Sequence, residues 1–152
     1  MATASEGVIE TLSELAESIK GSEEGYRAAA GGTRDPAAKT MFERYAEQRR
    51  EMAEELTRCI RGLGAEPPPG GALSGRADRV WTSLKSTVPG DDTLAMLEKC
   101  ERGEDVTKCE LQEALQANLP VTLRPTLEMM YGRVREAHDQ VRALRDKRRA
   151  SH

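Results

Sequence analysis

Apolar residues recur along most of this chain at spacings of three and four, which places them on one face of an α-helix. Three later segments repeat the pattern of the first, and a shorter amphipathic segment containing Trp81 lies between the second and third long ones. The pattern predicts helices over about residues 5–30, 36–63, 73–87, 92–118 and 121–149. The first apolar face comprises Val8, Leu12, Leu15, Ile19, Ser22, Tyr26 and Ala29.

Capping and helix-breaking residues set the limits of these helices. Asp35-Pro36 has the order of an N-cap followed by a proline in the first turn. Gly31-Gly32 is predicted to end the first helix and Gly64 the second, and no helix continues through the proline- and glycine-rich residues 67–71. The pair Asp91-Asp92 supplies an N-cap for the third long helix.

The long helices form two hairpins, because short connections join the first to the second and the third to the fourth. The 28 residues from Gly64 to Asp91, with their short helix, are long enough to run the length of the bundle. Such a single crossover is typical of ferritin-like bundles, and the alternative, an up-down bundle, does not need so long a link. We predict an all-α, ferritin-like four-helix bundle forming a single domain over residues 1–152, with Trp81 anchoring the crossover helix on it.

Composition agrees with packed helices rather than sheets. With one Trp, one Phe and three Tyr among 38% apolar residues, the core consists of Leu, Met, Val and Ala. A net charge of −3 disfavours nucleic-acid binding, since such domains are usually basic. No apolar run reaches the ~18 residues of a membrane span, and Met1 to Gly7 lacks signal-peptide features, so we expect a cytoplasmic protein without a membrane partner. Cys59, Cys100 and Cys109 contain no Cys-x-x-Cys pair and are expected to be reduced, partly buried thiols.

The third long helix carries charged residues on its inward face. Continuing the spacing from Leu94 and Leu97 reaches Glu101, Glu104 and Lys108 before Leu111. An unpaired buried charge costs several kcal/mol, so these groups need a compensating partner.

Other polar groups are predicted at the same level of the bundle. Counting outward from the connection near Leu119 places His138 of the fourth helix at the height of Glu101. Glu23 flanks the first stripe, while Gln48 and Arg49 face inward on the second helix, so the crossover topology brings Glu23, Gln48, Glu101 and Glu104 into one layer. A functional interpretation makes Glu23, Glu101, Glu104 and His138 ligands of iron or manganese, because carboxylates and imidazole suit these metals.

A structural interpretation competes with this metal site. A di-iron centre requires a Glu-x-x-His motif on each of two helices. The chain has only His138 and His152, and the residues three positions earlier are Arg135 and Arg149. The pattern therefore favours an ion-pair network in which Glu101 and Glu104 meet Arg49, Lys108 or His138.

Several short runs are shared with one protein family. They are Glu23–Ala30 with Asp35-Pro36, Gln48-Arg49 with Glu55-Leu56, Leu63-Gly64, Trp81 with Leu84-Lys85, Cys100–Asp105 with Glu113–Leu115, and Ala137–Asp139 with Val141-Arg142 and Leu144-Arg145. Together they resemble a bacterial family of ferritin-like four-helix-bundle proteins with no assigned function. The resemblance implies the crossover topology and the importance of Glu104 and His138. Leu111 stands where that family usually carries a Tyr, so no role for such a phenol carries over.

Three functions remain open at this point. The leading hypothesis is a non-enzymatic structural protein, connected with stress or metal handling and without catalytic residues. The alternatives are a metal-binding, oxidoreductase-like protein with a degenerate carboxylate–histidine site, and a module that binds another protein through its crossover face. We expect a homo-oligomer, since Met129 and Met130 are adjacent and only one of them can face the core.

Overall fold

The computed structural model describes residues 4–67, 76–86 and 92–151, and all regular structure in them is helical. The all-α class predicted from the sequence is therefore confirmed. The elements are α1 (Ala4–Gly32), α2 (Pro36–Gly62), α3 (Arg76–Thr82) followed by a 3₁₀ turn (Ser83–Ser86), α4 (Thr93–Gln116) and α5 (Arg124–Ala150). Residues 73–75 and 87 of the predicted crossover helix, and Asp91, lie outside the described residues.

Predicted capping residues define both ends of α2. The Asp35 carboxylate accepts hydrogen bonds from the backbone N–H groups of Ala37 and Ala38, and Pro36 occupies the first turn, where a missing N–H is harmless. After α2, Gly64 adopts a φ of 85°, a left-handed conformation that glycine tolerates best. Asp92 caps α4 in the same way, through the N–H of Leu94.

Three boundaries of the long helices differ from the prediction by two or three residues. α1 continues through both glycines to Gly32, and α4 ends at Gln116 rather than at residue 118. α5 begins at Arg124 rather than at residue 121. Proline explains this last difference, because a helix starting at 121 would place Pro125 where its ring clashes with a carbonyl of the preceding turn. Beginning at Arg124 puts Pro125 in the first turn instead.

The four long helices enclose a core of two clusters of buried apolar residues, and each cluster contains residues of all four helices. α1 packs on α2, α4 packs on α5, and the two hairpins meet through α1 against α4 and α2 against α5. Along α1 and α4 the residue numbers run in opposite directions: Thr33 contacts Thr93, and Ser18 contacts Glu110. α1 and α4 are therefore antiparallel, and α2 consequently runs in the same direction as α4.

Trp81 attaches the crossover helix to this core, as predicted. Its side chain is fully buried between α1 and α4, and its indole Nε1 donates a hydrogen bond to Thr107 Oγ1 at 3.2 Å. Gly25 and Gly103 form the slot for the ring, because a Cβ at these positions would lie 2.7 Å and 2.5 Å from ring carbons of Trp81. No other residue type fits at Gly25 or Gly103 without displacing the indole.

Burial follows the predicted stripes at most positions. All seven inward positions predicted for α1 are buried, and so are Glu101 and Glu104 on α4. Lys108 is only partly buried, however, and Thr107 occupies the inward position instead. The 3.6-residue period of a helix rotates the inward face away from a strict seven-residue repeat, which accounts for the error.

The thiols differ in exposure. Cys100 is buried, Cys59 is intermediate and Cys109 is exposed, and all three are free cysteines. Within residues 4–67, 76–86 and 92–151, none of the helices combines the length and the low charge that a membrane span requires.

Candidate functional site

An ion pair between α2 and α4 lies in the centre of the bundle. Arg49 Nη1 donates to Glu104 Oε1 at 2.6 Å, and Nη2 donates to Oε2 at 2.5 Å. Both side chains have an exposed fraction of 0%. The planar guanidinium thus meets both carboxylate oxygens, the geometry in which an arginine–carboxylate pair is strongest.

Each partner compensates the burial of the other. Burial by itself would lower the pKa of Arg49, but the adjacent Glu104 carboxylate and its hydrogen bonds raise this pKa above its ordinary value. The guanidinium therefore stays charged in the core. Removing one member of such a pair typically costs about 3–5 kcal/mol, because an isolated charge is left without water.

Aromatic rings cover the pair. The Tyr26 ring centroid lies 5.6 Å from Arg49 Cζ, which is a cation–π distance. Tyr26 also contacts the rings of Trp81, Tyr45 and Phe42, with centroid separations of 5.2, 5.7 and 6.1 Å. Burial, and then the negative charge of Glu104, raise the pKa of Tyr26 well above its usual value, so its phenol is neutral.

The Glu104 carboxylate also affects the neighbouring thiol of Cys100. Burial, followed by the charge of Glu104, raises the pKa of Cys100 well above that of a free thiol. Since the thiolate is the nucleophile and Cys100 is fully buried, we expect Cys100 to be unreactive in the folded protein. Three buried atoms at this level have no hydrogen-bond partner among the described residues: Tyr26 Oη, Gln48 Oε1 and Arg49 Nε.

Each of the four residues predicted as metal ligands contacts its own partner side chains within the chain. Glu104 pairs with Arg49, as described, and Glu101 pairs with Arg145 of α5, with one Nη1–Oε2 distance of 2.6 Å. Glu23 binds Arg27 one turn later on α1 at 2.8 Å. His138 Nε2 lies 2.9 Å from Asp105, and its Nδ1 lies 3.2 Å from Asp139.

These contacts do not assemble a ligand cluster. Across the part of the chain that the structure describes, no group of three or more His, Cys, Asp or Glu side chains is arranged to hold a metal ion. An iron or manganese site formed by Glu23, Glu101, Glu104 and His138 therefore stays a prediction. Glu104 contacts Arg49, one of the cations that the ion-pair interpretation named. His138 contacts α4 through Asp105 rather than through Glu101 or Glu104.

Sequence counting misjudged the register of α5 against α4. It placed Glu101 level with His138, whereas Asp105 is level with His138 and Glu101 is level with Arg145. Because residues 117–123 form the connection and α5 begins late, α5 is displaced by about one helical turn.

Sequence reasoning therefore missed Asp105 and Arg145 as partners. It also missed Arg148, whose guanidinium binds the Asp35 carboxylate that caps α2. The hydrogen bond from Arg148 lowers the pKa of Asp35. The basic residues in the last turns of α5 could have indicated such ion pairs, but their favourable interaction with the helix dipole explains them equally well.

Comparison with protein families adds one finding. The chain matches a family described as Domain of unknown function (DUF2383) over residues 7–117. The matched segment runs from α1 to the end of α4 and so includes Arg49, Glu104 and the Trp81 slot. No curated protein matches the chain. Because the match covers well over half of the chain, the protein belongs to the DUF2383 family, whose function is unassigned.

Proposed function

We propose that this protein is a ferritin-like four-helix bundle that serves a non-enzymatic, structural role through association with other protein surfaces. The observation that carries the proposal is the Arg49–Glu104 pair, in which both carboxylate oxygens are bound to a guanidinium in a fully buried position. This fully buried ion pair is thus committed to holding α2 against α4.

The directions of the helices support the ferritin-like topology. Since α2 and α4 run in parallel, the chain must return along the whole bundle between them, a distance of about 40 Å for a helix of 27 residues. The crossover helix α3 lies partway along this return, with Trp81 between Gly25 and Gly103. We extend this topology to a single domain over residues 1–152 in a cytoplasmic protein.

The cost of releasing Glu104 argues against a ligand role. A metal ion bound by Glu104 would have to displace Arg49, which would leave a buried guanidinium without a counter-ion, at a cost of several kcal/mol. Glu101, Glu23 and His138 would also have to leave their present partners. A metal-binding, oxidoreductase-like protein with iron or manganese is the alternative, and it makes the opposite prediction in the experiment below.

Exposed apolar side chains support a role in association. Val121 is 86% exposed and Met129 of α5 is 46% exposed, whereas the adjacent Met130 is fully buried. An exposed methionine is adaptable and common at contact surfaces. We therefore propose a homo-oligomer, with a different protein partner as the alternative.

Elemental analysis tests the proposal directly. Protein purified without chelator, and again after anaerobic loading with Fe(II) and desalting, is expected to retain far less than one equivalent of iron, manganese or zinc. Its melting temperature is expected to be unchanged by these metals, since only a ligand that binds the native state stabilises it.

Matched variants give the experiment its control. Near-stoichiometric metal that is lost in Glu104→Gln and His138→Ala, but retained in Glu113→Gln on the exposed side of α4, would overturn the non-enzymatic role. That result would make the inward carboxylates ligands and would justify an oxidation assay.

A further inference from the structure

Two hydrogen-bond donors in the centre of the bundle have no acceptor on the protein. Tyr26 and Arg49 are both fully buried, with an exposed fraction of 0%. Among the residues that the structure describes, neither Tyr26 Oη nor Arg49 Nε has a hydrogen-bond partner. A buried donor without a partner costs the free energy of its desolvation, and most such groups in proteins therefore bond to the protein or to an ordered water molecule.

The two donors belong to one polar centre. The Tyr26 ring covers the guanidinium, with its centroid 5.6 Å from Arg49 Cζ. Burial raises the pKa of Tyr26 most, the charge of Glu104 raises it further, and the charge of Arg49 lowers it. Because Coulomb interactions weaken with distance, a phenol that responds to both members of the ion pair lies close to both of them.

The groups around this centre do not supply the missing acceptor. Tyr26 is in contact with three aromatic rings. One of them, the indole of Trp81, is itself a donor and is bonded to Thr107. Both oxygens of Glu104 accept from the terminal nitrogens of Arg49. A carboxylate has about four lone-pair sites, so Glu104 can still accept further hydrogen bonds from a bound molecule.

Charge restricts what can bind between these donors. Arg49 and Glu104 compensate each other, so an additional anion would meet the buried carboxylate, and an additional cation would meet the buried guanidinium. A small neutral acceptor has neither cost. Water satisfies the requirement, because it accepts two hydrogen bonds and can donate to the remaining lone pairs of Glu104. A buried water molecule typically makes about three such bonds.

We propose that an ordered water molecule binds between Tyr26 Oη and Arg49 Nε and completes the hydrogen bonding of the buried ion pair. Tyr26 is then a positioning residue for this water, a role that a phenylalanine at the same position could not perform. The inference concerns the interior of the bundle, so it goes beyond the proposed associative function and does not depend on it.

The Tyr26→Phe variant tests this role, because it removes the hydroxyl and keeps the ring over Arg49. If water bridges the two donors, the variant loses a hydrogen bond, and its melting temperature should fall by roughly 2–4 °C. If the hydroxyl is unpaired, removing it ends a desolvation cost. A melting temperature that rises or stays unchanged would therefore overturn the inference.

Tyr131→Phe is the matched control. The Tyr131 hydroxyl accepts a hydrogen bond from Gln112 at an exposed position, where water can replace the lost partner. Its removal should change the melting temperature by clearly less than the removal of the Tyr26 hydroxyl. Equal effects of the two substitutions would show that the buried hydroxyl has no special partner.

A crystal structure of the full chain, at a resolution that shows ordered water, locates the bound molecule directly. One peak of density is expected within about 3.2 Å of both Tyr26 Oη and Arg49 Nε. Continuous side-chain packing without density between these atoms would overturn the inference. A peak with the anomalous scattering of iron, manganese or zinc would also overturn it, and would count against the non-enzymatic role as well.

Discussion

Arg49 of α2 and Glu104 of α4 form a two-hydrogen-bond ion pair between the two hairpins of the bundle. α2 and α4 belong to different hairpins, so this pair is a direct polar link between the two hairpins. The pair also has a directional requirement that apolar contacts lack, since both oxygens must face both terminal nitrogens. It therefore fixes the height of α2 relative to α4 more strictly than leucine packing would.

The first prediction concerns the stability of this pair. Glu104→Met and Arg49→Met should each lower the free energy of unfolding by about 3–5 kcal/mol, because the remaining partner stays buried and uncompensated. The double variant Arg49→Met/Glu104→Met should recover most of this loss, since it leaves no buried charge. Urea unfolding of the four proteins measures the coupling free energy as a double-mutant cycle.

An exposed ion pair provides the comparison. Glu23→Gln, which removes the partner of Arg27 on the surface of α1, should change the free energy of unfolding by less than about 1 kcal/mol. Strictly additive effects of Arg49→Met and Glu104→Met would contradict the structural role assigned to the buried pair.

A second prediction concerns pH and Asp35. The hydrogen bond from Arg148 lowers the pKa of Asp35 in the folded state below its ordinary value of 3.8. A carboxylate with a lowered folded-state pKa stabilises the protein above its unfolded pKa, and this contribution disappears as the pH falls through the folded-state pKa. Asp35→Asn keeps a good N-cap for α2 but loses the charge, so it isolates the contact with Arg148.

The wild type should therefore be more stable than Asp35→Asn at pH 7, and the two stabilities should converge as the pH falls below 3.8. Thermal unfolding between pH 2.5 and 7 measures this difference. Arg148→Gln is the matched change on the other partner and should give the same convergence. A stability difference that does not vary with pH would show that the contact is not an ion pair.

Much of this architecture depends on short-range patterns and could be predicted. The inward stripe of α1, the caps at Asp35 and Asp92, and the anchoring role of Trp81 all follow from local spacing and residue type. The inward positions of Glu101 and Glu104 could also be predicted from the sequence, because both residues interrupt a row of leucines.

The partners of these groups could not be predicted, because they depend on the register between helices. That register is set by where α5 begins, and Pro125 moves this start to Arg124. Because of this displacement, His138 contacts Asp105 and Glu101 contacts Arg145. The slot at Gly25 and Gly103 could not be predicted for a similar reason. Whether a position requires glycine depends on how closely two helices and an indole approach each other there.

A third prediction follows from this slot. Gly103→Ala should destabilise the protein by about 1–3 kcal/mol, because its Cβ would lie 2.5 Å from the indole of Trp81 and the ring must move. Gly132→Ala on α5 is the matched control: a Cβ there meets nothing within 4 Å, so the higher helix propensity of alanine should stabilise the protein by about 0.5–1 kcal/mol.

Tryptophan fluorescence reports on the slot specifically, since Trp81 is the only tryptophan of the chain. Its emission should shift to longer wavelength in Gly103→Ala and stay unchanged in Gly132→Ala. Equal stability and equal emission in the two variants would mean that the indole does not fill the space between α1 and α4.

A fourth prediction ranks the three thiols by reactivity. Cys109 is exposed and should react with a neutral disulfide reagent fastest in the native protein. Cys59 is partly buried, and burial followed by the charge of Glu55 raises its pKa, so it should react more slowly. Cys100 is fully buried beside Glu104, and its pKa is raised well above the usual value, so it should react only after unfolding.

Mass spectrometry of peptides after timed labelling assigns each rate to its cysteine. Cys100 labelling should rise with urea along the same curve as global unfolding, because Cys100 is fully buried at the centre of the bundle. The Glu104→Gln variant separates the two causes of the low reactivity. Removing the charge lowers the pKa of Cys100 but leaves it buried, so labelling should still follow unfolding, at the lower urea concentration where this variant unfolds. Rapid labelling of Cys100 in the native wild type would contradict the packing of α4 against the Trp81 slot and the Arg49–Glu104 pair.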